Sequence, residues 1–219
     1  MPTIPAISTY PMPDTETIPS GPLRWVCRTD RAALLIHDMQ QYFVDFFPAS
    51  VPPVGDLVDN VARLAGAARA MGIPVIYTAQ PGAMTKAQRG LLADVWGPGM
   101  GGDPDERRII ARLAPAATDT VITKWRYSAF SRSPLADMLA EQGRDQLIIC
   151  GVYAHVGCLM TACDAFSRDI QAFLVADAVA DFDAEHHRWA LRYAAERCAR
   201  TLSTDAVIAQ LTDVESAVA

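Results

Sequence analysis

A chain of 219 residues, 51% hydrophobic and 20% charged, has ample material for the core of one large α/β domain spanning residues 1–219. A formal charge of −6 with no basic run excludes a phosphate-binding surface for nucleic acid, but leaves room for a small anionic substrate held by a few local cations. No leader segment or membrane-length apolar run occurs, and the five cysteines are odd in number with no CxxC pair, so a cytoplasmic protein with reduced thiols is expected.

Met1 to Pro22 carries six prolines and no sustained period, which predicts an extended arm over the surface. Ala32 to Ile36 is the first apolar strand and runs into His37-Asp38-Met39-Gln40. Asp56 to Met71 places Leu57, Val58, Val61, Leu64 and Ala67 on one helical face, and Gly72 stops it. Pro74 to Thr78 is the second strand, closed by Gln80-Pro81-Gly82. The long connection from Ala83 to Gly102 is of a size that is usually functional or locally helical. Its Gly97-Pro98-Gly99-Met100-Gly101-Gly102 satisfies GxGxxG formally. It follows a loop, however, and Pro98 lacks an N–H, so no dinucleotide site is expected.

Asp103-Pro104-Asp105-Glu106 has the cap, proline and acidic residue of a helix start. Thr120 to Thr123 is the third strand and leads into Lys124-Trp125-Arg126-Tyr127. Ser133-Pro134 opens another helix. Leu147 to Cys150 is a fourth, buried strand; Ala172 to Val175 and Arg200 to Ser203 are the fifth and sixth, with a helix capped by Asp183 and running to about Cys198 between them. Alternating strands and helices at this spacing predict a parallel doubly wound sheet.

The fourth strand passes almost directly into a helix, with Leu159, Ala162, Cys163 and Phe166 at helical spacing. Such a junction directs backbone N–H groups to one spot beyond the carboxyl ends of the strands, where ligands bind in open α/β sheets. Asp38 follows the first strand and Lys124 the third, each at the carboxyl edge of the sheet. Taken singly, Asp38 also fits a turn cap and Lys124 a solvated strand end. His155 reads as a hydrogen-bonded packing residue. His186 and His187 are adjacent on a helix and point apart, so no metal site is predicted.

Three blocks of sequence resemble the isochorismatases of the cysteine-hydrolase-like superfamily: Leu34 to Gln40, Lys124 to Phe130, and Gly151 to Cys158, with the likeness running from about Ala6 to Asp205. The resemblance implies a three-layer α/β/α domain with a six-stranded parallel sheet, and it implies that Asp38 is the catalytic acid with Lys124 beside it. In amidohydrolase members the seventh residue of the Gly151 turn is the nucleophilic cysteine. Here it is Gly157, and Cys158 comes one step later. A residue step rotates a side chain by about 100° at a helix start, so Cys158 is expected to aim elsewhere.

The family pattern further implies Gln80, Arg89 and Trp96 as substrate-facing residues and Phe43, Trp96, Tyr127 and Tyr153 as pocket walls, with the Gly157 N–H holding a substrate carboxylate. The implied activity is cofactor-free hydrolysis of an enolpyruvyl vinyl ether to pyruvate. The implied substrate is isochorismate or 2-amino-2-deoxyisochorismate, in siderophore or phenazine synthesis. The single-domain length and Pro81-Gly82-Ala83-Met84-Thr85 favour the amino substrate, and a homodimer is expected. Two other readings stay open: a cysteine amidohydrolase using Cys158, and a non-catalytic docking member. The acid must carry a proton near neutral pH, and here two influences oppose each other. An apolar site would raise the pKa of Asp38, whereas Lys124 would lower it.

Overall fold

The six apolar runs form strands β1 Ala32–His37, β2 Val75–Ala79, β3 Thr120–Thr123, β4 Gln146–Val152, β5 Gln171–Ala180 and β6 Ala199–Leu202. They are seen in a computed structural model that describes residues 4–213. Every pairing is parallel, in the order β3-β2-β1-β4-β5-β6. The chain winds outward from β1 to β3, returns to the other side of β1 as β4, and winds outward again to β6. The seam between β1 and β4 is therefore the topological switch point, where a crevice opens beyond the strand ends.

The helices are α1 Gln41–Val44, α2 Val54–Ala70, α3 Lys86–Arg89, α4 Leu92–Trp96, α5 Pro104–Arg107, α6 Leu135–Glu141, α7 Leu159–Phe166, α8 Ala184–Arg197 and α9 Thr204–Thr212. Strand periodicity sorts them into layers. Ala32, Leu34 and Ile36 of β1 share an apolar cluster with Leu57, Val61 and Leu64 of α2 and Val207 and Leu211 of α9. Ala33 and Leu35 point to the opposite face and join Leu135 and Leu139 of α6, Leu159 and Ala162 of α7, and Leu191 of α8. All six β1 residues are buried, as expected for a strand covered on both faces. Burial of each Leu or Ile contributes ~1.5–3 kcal/mol.

Asp103 and Asp183 cap their helices as expected, accepting from the N–H groups of Asp105 and His186 at 2.9 and 2.8 Å. Ser133 Oγ accepts from the Leu135 N–H at 3.3 Å, the contact expected of a cap, and the regular helix runs from Leu135. The fifth strand is longer than its apolar run. It continues through Asp177, whose carboxylate accepts from Thr204 N and Oγ1 at 2.7 and 2.8 Å and so helps start α9, a helix the sequence pattern did not announce. The long connection contains α3 and α4. The described part of the proline-rich arm is extended: Ile7 N–H donates to Phe46 O, and Ile7 and Tyr10 are buried. No helix among the described residues is long and apolar enough to cross a membrane.

Candidate active site

β1 and β4 pair to their carboxyl ends. His37 pairs with Gly151, and a Cβ on Gly151, at φ +109°, would lie 2.2 Å from His37 O, so only glycine fits there. The next residue, Asp38, has φ +50°, a left-handed conformation that Asp tolerates better than most side chains. Its carboxylate is buried and fully engaged. Oδ1 accepts from Thr78 Oγ1 at 2.5 Å, and Oδ2 accepts from Lys124 Nζ at 2.8 Å and Gln80 Nε2 at 3.2 Å. Neighbouring strand ends supply all three donors.

Asp38 and Lys124 are each 3% exposed, so they form a buried ion pair. Burial pushes the Asp38 carboxyl up. The Lys124 ammonium, His37 and the hydrogen bonds from Lys124 and Thr78 outweigh it, and the net direction is down. Asp38 in the free protein is thus a carboxylate at neutral pH. Gln40 braces the arrangement: its side chain donates to Gln80 O and Arg107 O and accepts from the Gln80 N–H.

Gly157 lies in a π-helical turn, Ala154–Cys158, ahead of α7. A Cβ at this position would fall 2.0 Å from Cε1 of His37. The imidazole fills the space, with Nδ1 donating to Val152 O at 2.8 Å and Nε2 making no hydrogen bond. Burial, as the main cause, lowers the His37 pKa from 6.5 to about 4, so the ring is neutral. The Gly157 N–H does not offer itself to a ligand. It donates to Tyr153 O at 3.1 Å, an oxygen shared with the N–H groups of Val156 and Cys158, which corrects the expectation that this donor holds a carboxylate. Cys158 is fully buried in the apolar cluster on the far side of the sheet, and burial raises its thiol well above the usual range.

All nine residues named as candidate catalytic or substrate-facing groups line one pocket: Asp38 and Lys124, Phe43, Gln80, Arg89, Trp96, Tyr127, Tyr153 and Gly157. Tyr127 OH accepts from Trp96 Nε1 at 2.8 Å, and Tyr153 OH donates to Phe43 O at 2.7 Å. Arg89 is 7% exposed; its Nε donates to Gly97 O at 3.0 Å, and its guanidinium presses on Gly99, where a Cβ would lie 2.6 Å from Cζ. The glycine-rich loop thus wraps an arginine instead of a phosphate. Arg126 reaches the same pocket, donating to the carbonyls of Gln88 and Trp125. Among the described residues neither guanidinium is paired with a carboxylate. None of Pro81 to Thr85 lines the pocket.

Residues 32–206 match the model of the isochorismatase domain, which takes in every strand and the whole pocket edge of the sheet. The chain belongs to the isochorismatase family. It is 54% identical over 208 residues to an isochorismatase of Bacillus subtilis (strain 168), covering 95% of this chain and 67% of that protein. It is 52% identical over 205 residues to the phenazine biosynthesis protein PhzD1 of Pseudomonas aeruginosa, covering 94% and 98%. To the enterobactin synthase component B of Escherichia coli (strain K12) it is 48% identical, covering 94% and 72%. Among solved structures, a cysteine hydrolase from Pseudomonas syringae pv. phaseolicola 1448A superimposes with a TM-score of 0.79 at 25% identity, over 86% of this chain and 95% of that one. The chain is an isochorismatase-type hydrolase with an α/β fold and a six-stranded parallel sheet.

Several residues of this isochorismatase site were not foreseen. Phe182 follows β5 and packs edge-on against Tyr153 and Trp96, with ring centroids 4.8 and 6.0 Å away. A lone aromatic after Asp181 gives no sequence signal. Arg126 had a signal, since it lies two residues past Lys124 at the same strand end. His155 is the packing residue expected: its Nδ1 and N–H both meet the buried Asp181 carboxylate at 2.6 Å. His186 and His187 diverge, one to Asp183 and the other to Tyr10 OH and Ala176 O.

Proposed function

We propose that this protein hydrolyses the enolpyruvyl vinyl ether of isochorismate or 2-amino-2-deoxyisochorismate, releasing pyruvate and a dihydro-hydroxy(amino)benzoate. The observation that carries the reading is the charge balance of the pocket. Asp38 and Lys124 neutralise one another at 2.8 Å, whereas Arg89 and Arg126 have only amide and carbonyl oxygens for acceptors. Two uncompensated guanidiniums suit a substrate with two carboxylates. Relatives named for phenazine biosynthesis and enterobactin synthesis support a place in secondary-metabolite synthesis.

A vinyl ether is electron-rich at its terminal methylene, so the reaction begins with a proton delivered to that carbon. The resulting oxocarbenium ion adds water, and the hemiketal collapses to pyruvate and an alcohol. Asp38 is ionised in the free site, and the proton it needs sits on Lys124 Nζ, across one hydrogen bond. Substrate that fills the pocket strips remaining water from the ion pair and favours its neutral form. The proton moves to Oδ2, Asp38 passes it to the methylene, and the carboxylate left behind stabilises the adjacent cation. The attacking water returns a proton to the pair. No nucleophilic side chain takes part, in keeping with Gly157 and with the burial of Cys158 in the apolar cluster, outside the pocket lining.

The test is pyruvate release from each of the two substrates by the wild type and by Asp38→Ala. Rapid release from one substrate that disappears in the variant supports the reading and assigns the branch. No release from either overturns it. A homodimer remains the expected assembly, and light scattering that returned the mass of a single chain would remove that expectation.

A further inference from the structure

Two thiols outside the active site lie against each other. Cys163, on α7, and Cys198, just after α8, are 35 residues apart in sequence and have their Sγ atoms 3.5 Å apart. That is sulfur–sulfur contact, about 1.5 Å longer than a disulfide bond. The other cysteines differ in kind. Cys27, Cys150 and Cys158 are buried, and burial raises each of their thiols.

The two members of the pair are unequal. Cys163 is half-buried and opens on a surface groove beside Met160 and Ser167, so a small molecule can reach it. Cys198 is 3% exposed. The two sulfurs share a hydrogen bond in which either can donate; it lowers the thiol of Cys163, the more exposed of the two, to about 7 and raises that of Cys198. An accessible thiolate backed by a buried thiol is the arrangement of an attacking and a resolving cysteine. Both residues sit in or against the apolar cluster that binds α7 and α8 to one face of the sheet, and their sulfurs are already in contact.

We propose that Cys163 and Cys198 form a reversible disulfide by exchange with low-molecular-weight disulfides, with oxidised glutathione as the model reagent. The Cys163 thiolate attacks one sulfur of the reagent, forming a mixed disulfide and expelling one thiolate. Cys198 Sγ then attacks Cys163 Sγ, the protein disulfide forms, and the second glutathione leaves with the Cys198 proton. The protein dithiol is oxidised by two electrons and the reagent is reduced to two thiols.

The experiment equilibrates the full-length native protein in glutathione buffers of increasing oxidised fraction, followed by acid quench, intact mass and thiol titration. The wild type is expected to lose two of its five thiols and two hydrogens in mass, to carry no glutathione, and to revert with dithiothreitol. Cys198→Ser is expected to stop at the mixed disulfide, gaining one glutathionyl group on Cys163. A wild type that keeps five thiols, or a linkage that peptide mapping assigns to other cysteines, overturns the proposal. So does a folded Cys163→Ser variant that oxidises as the wild type does. Circular dichroism melting of both variants verifies their folds, and a reversible rise in melting temperature on oxidation is expected of the wild type alone.

Discussion

The imidazole of His37 occupies the volume that any side chain at position 157 would need, and its Nδ1 bond to Val152 O holds it there. Gly157 and the histidine that precedes the proposed catalytic carboxylate are therefore one packing unit. Gly157→Ala is expected to lose ~1–3 kcal/mol by overpacking and to lose activity with it. Adding His37→Ala to that variant should recover part of the stability, so that urea unfolding of the four proteins yields a favourable coupling. Purely additive losses would mean that the two side-chain volumes do not compete.

Asp38→Asn keeps the shape of the site and removes its acid. A drop in kcat on the order of 10³-fold is expected, with KM little changed, in line with the contribution of a positioned general acid. Steady-state pyruvate release measures both constants. An unchanged kcat would locate the proton donor elsewhere.

Lys124→Met removes the cation that holds Asp38 down and leaves the burial that pushes it up. Asp38 is then expected to titrate above 3.8 instead of below it, which carbon-13 NMR of its carboxyl reads directly. Stranding one member of a buried pair also costs about 3–5 kcal/mol of stability at neutral pH. A carboxyl that still titrated below 3.8 would show that His37, Thr78 and Gln80 suffice to hold the charge without the ammonium.

The six parallel strands and the two aspartate caps were legible because each rests on a local pattern, an apolar run or a cap spacing, whereas the residues that line the pocket were implied chiefly by the family resemblance. The rest depends on contacts between distant segments. Asp177 reads as a strand breaker until Thr204, 27 residues later, supplies two donors to its carboxylate. At four and five residues, α3 and α4 are too short to show a helical period. Gly157 presented itself as an anion-binding helix start, but the close approach of three N–H groups to Tyr153 O becomes visible only with the backbone in place.

His37 also sets an acid limit on stability. Its pKa is depressed from 6.5 to about 4 in the fold, so between those values the unfolded chain binds a proton that the native protein refuses. Stability is therefore full above pH 6.5 and falls as the pH drops toward 4, by ~3 kcal/mol for this group. The buried His187, also depressed, acts in the same direction. Urea midpoints measured from pH 7 to 4.5 should fall steeply for the wild type and less steeply for His37→Gln. Identical slopes would assign the acid sensitivity to other groups.

Arg89 offers the sharpest test of the dicarboxylate reading, because its guanidinium is almost fully buried without an anionic partner. Charge-assisted hydrogen bonds contribute ~1.5–3 kcal/mol, so Arg89→Lys, which keeps the charge and loses the planar fork, should raise KM roughly tenfold to a hundredfold. The kcat should change less, since the carboxylate is bound in the ground state and the transition state alike. Arg126→Ala should act in the same sense, with an added loss from freeing the Gln88 carbonyl that it ties to the end of β3. The deciding comparison is an analogue lacking one carboxylate. If the two arginines grip two different carboxylates, deleting one substrate carboxylate abolishes the KM effect of one arginine variant and preserves that of the other. If the analogue leaves both effects intact, the guanidiniums serve the loop and not the substrate.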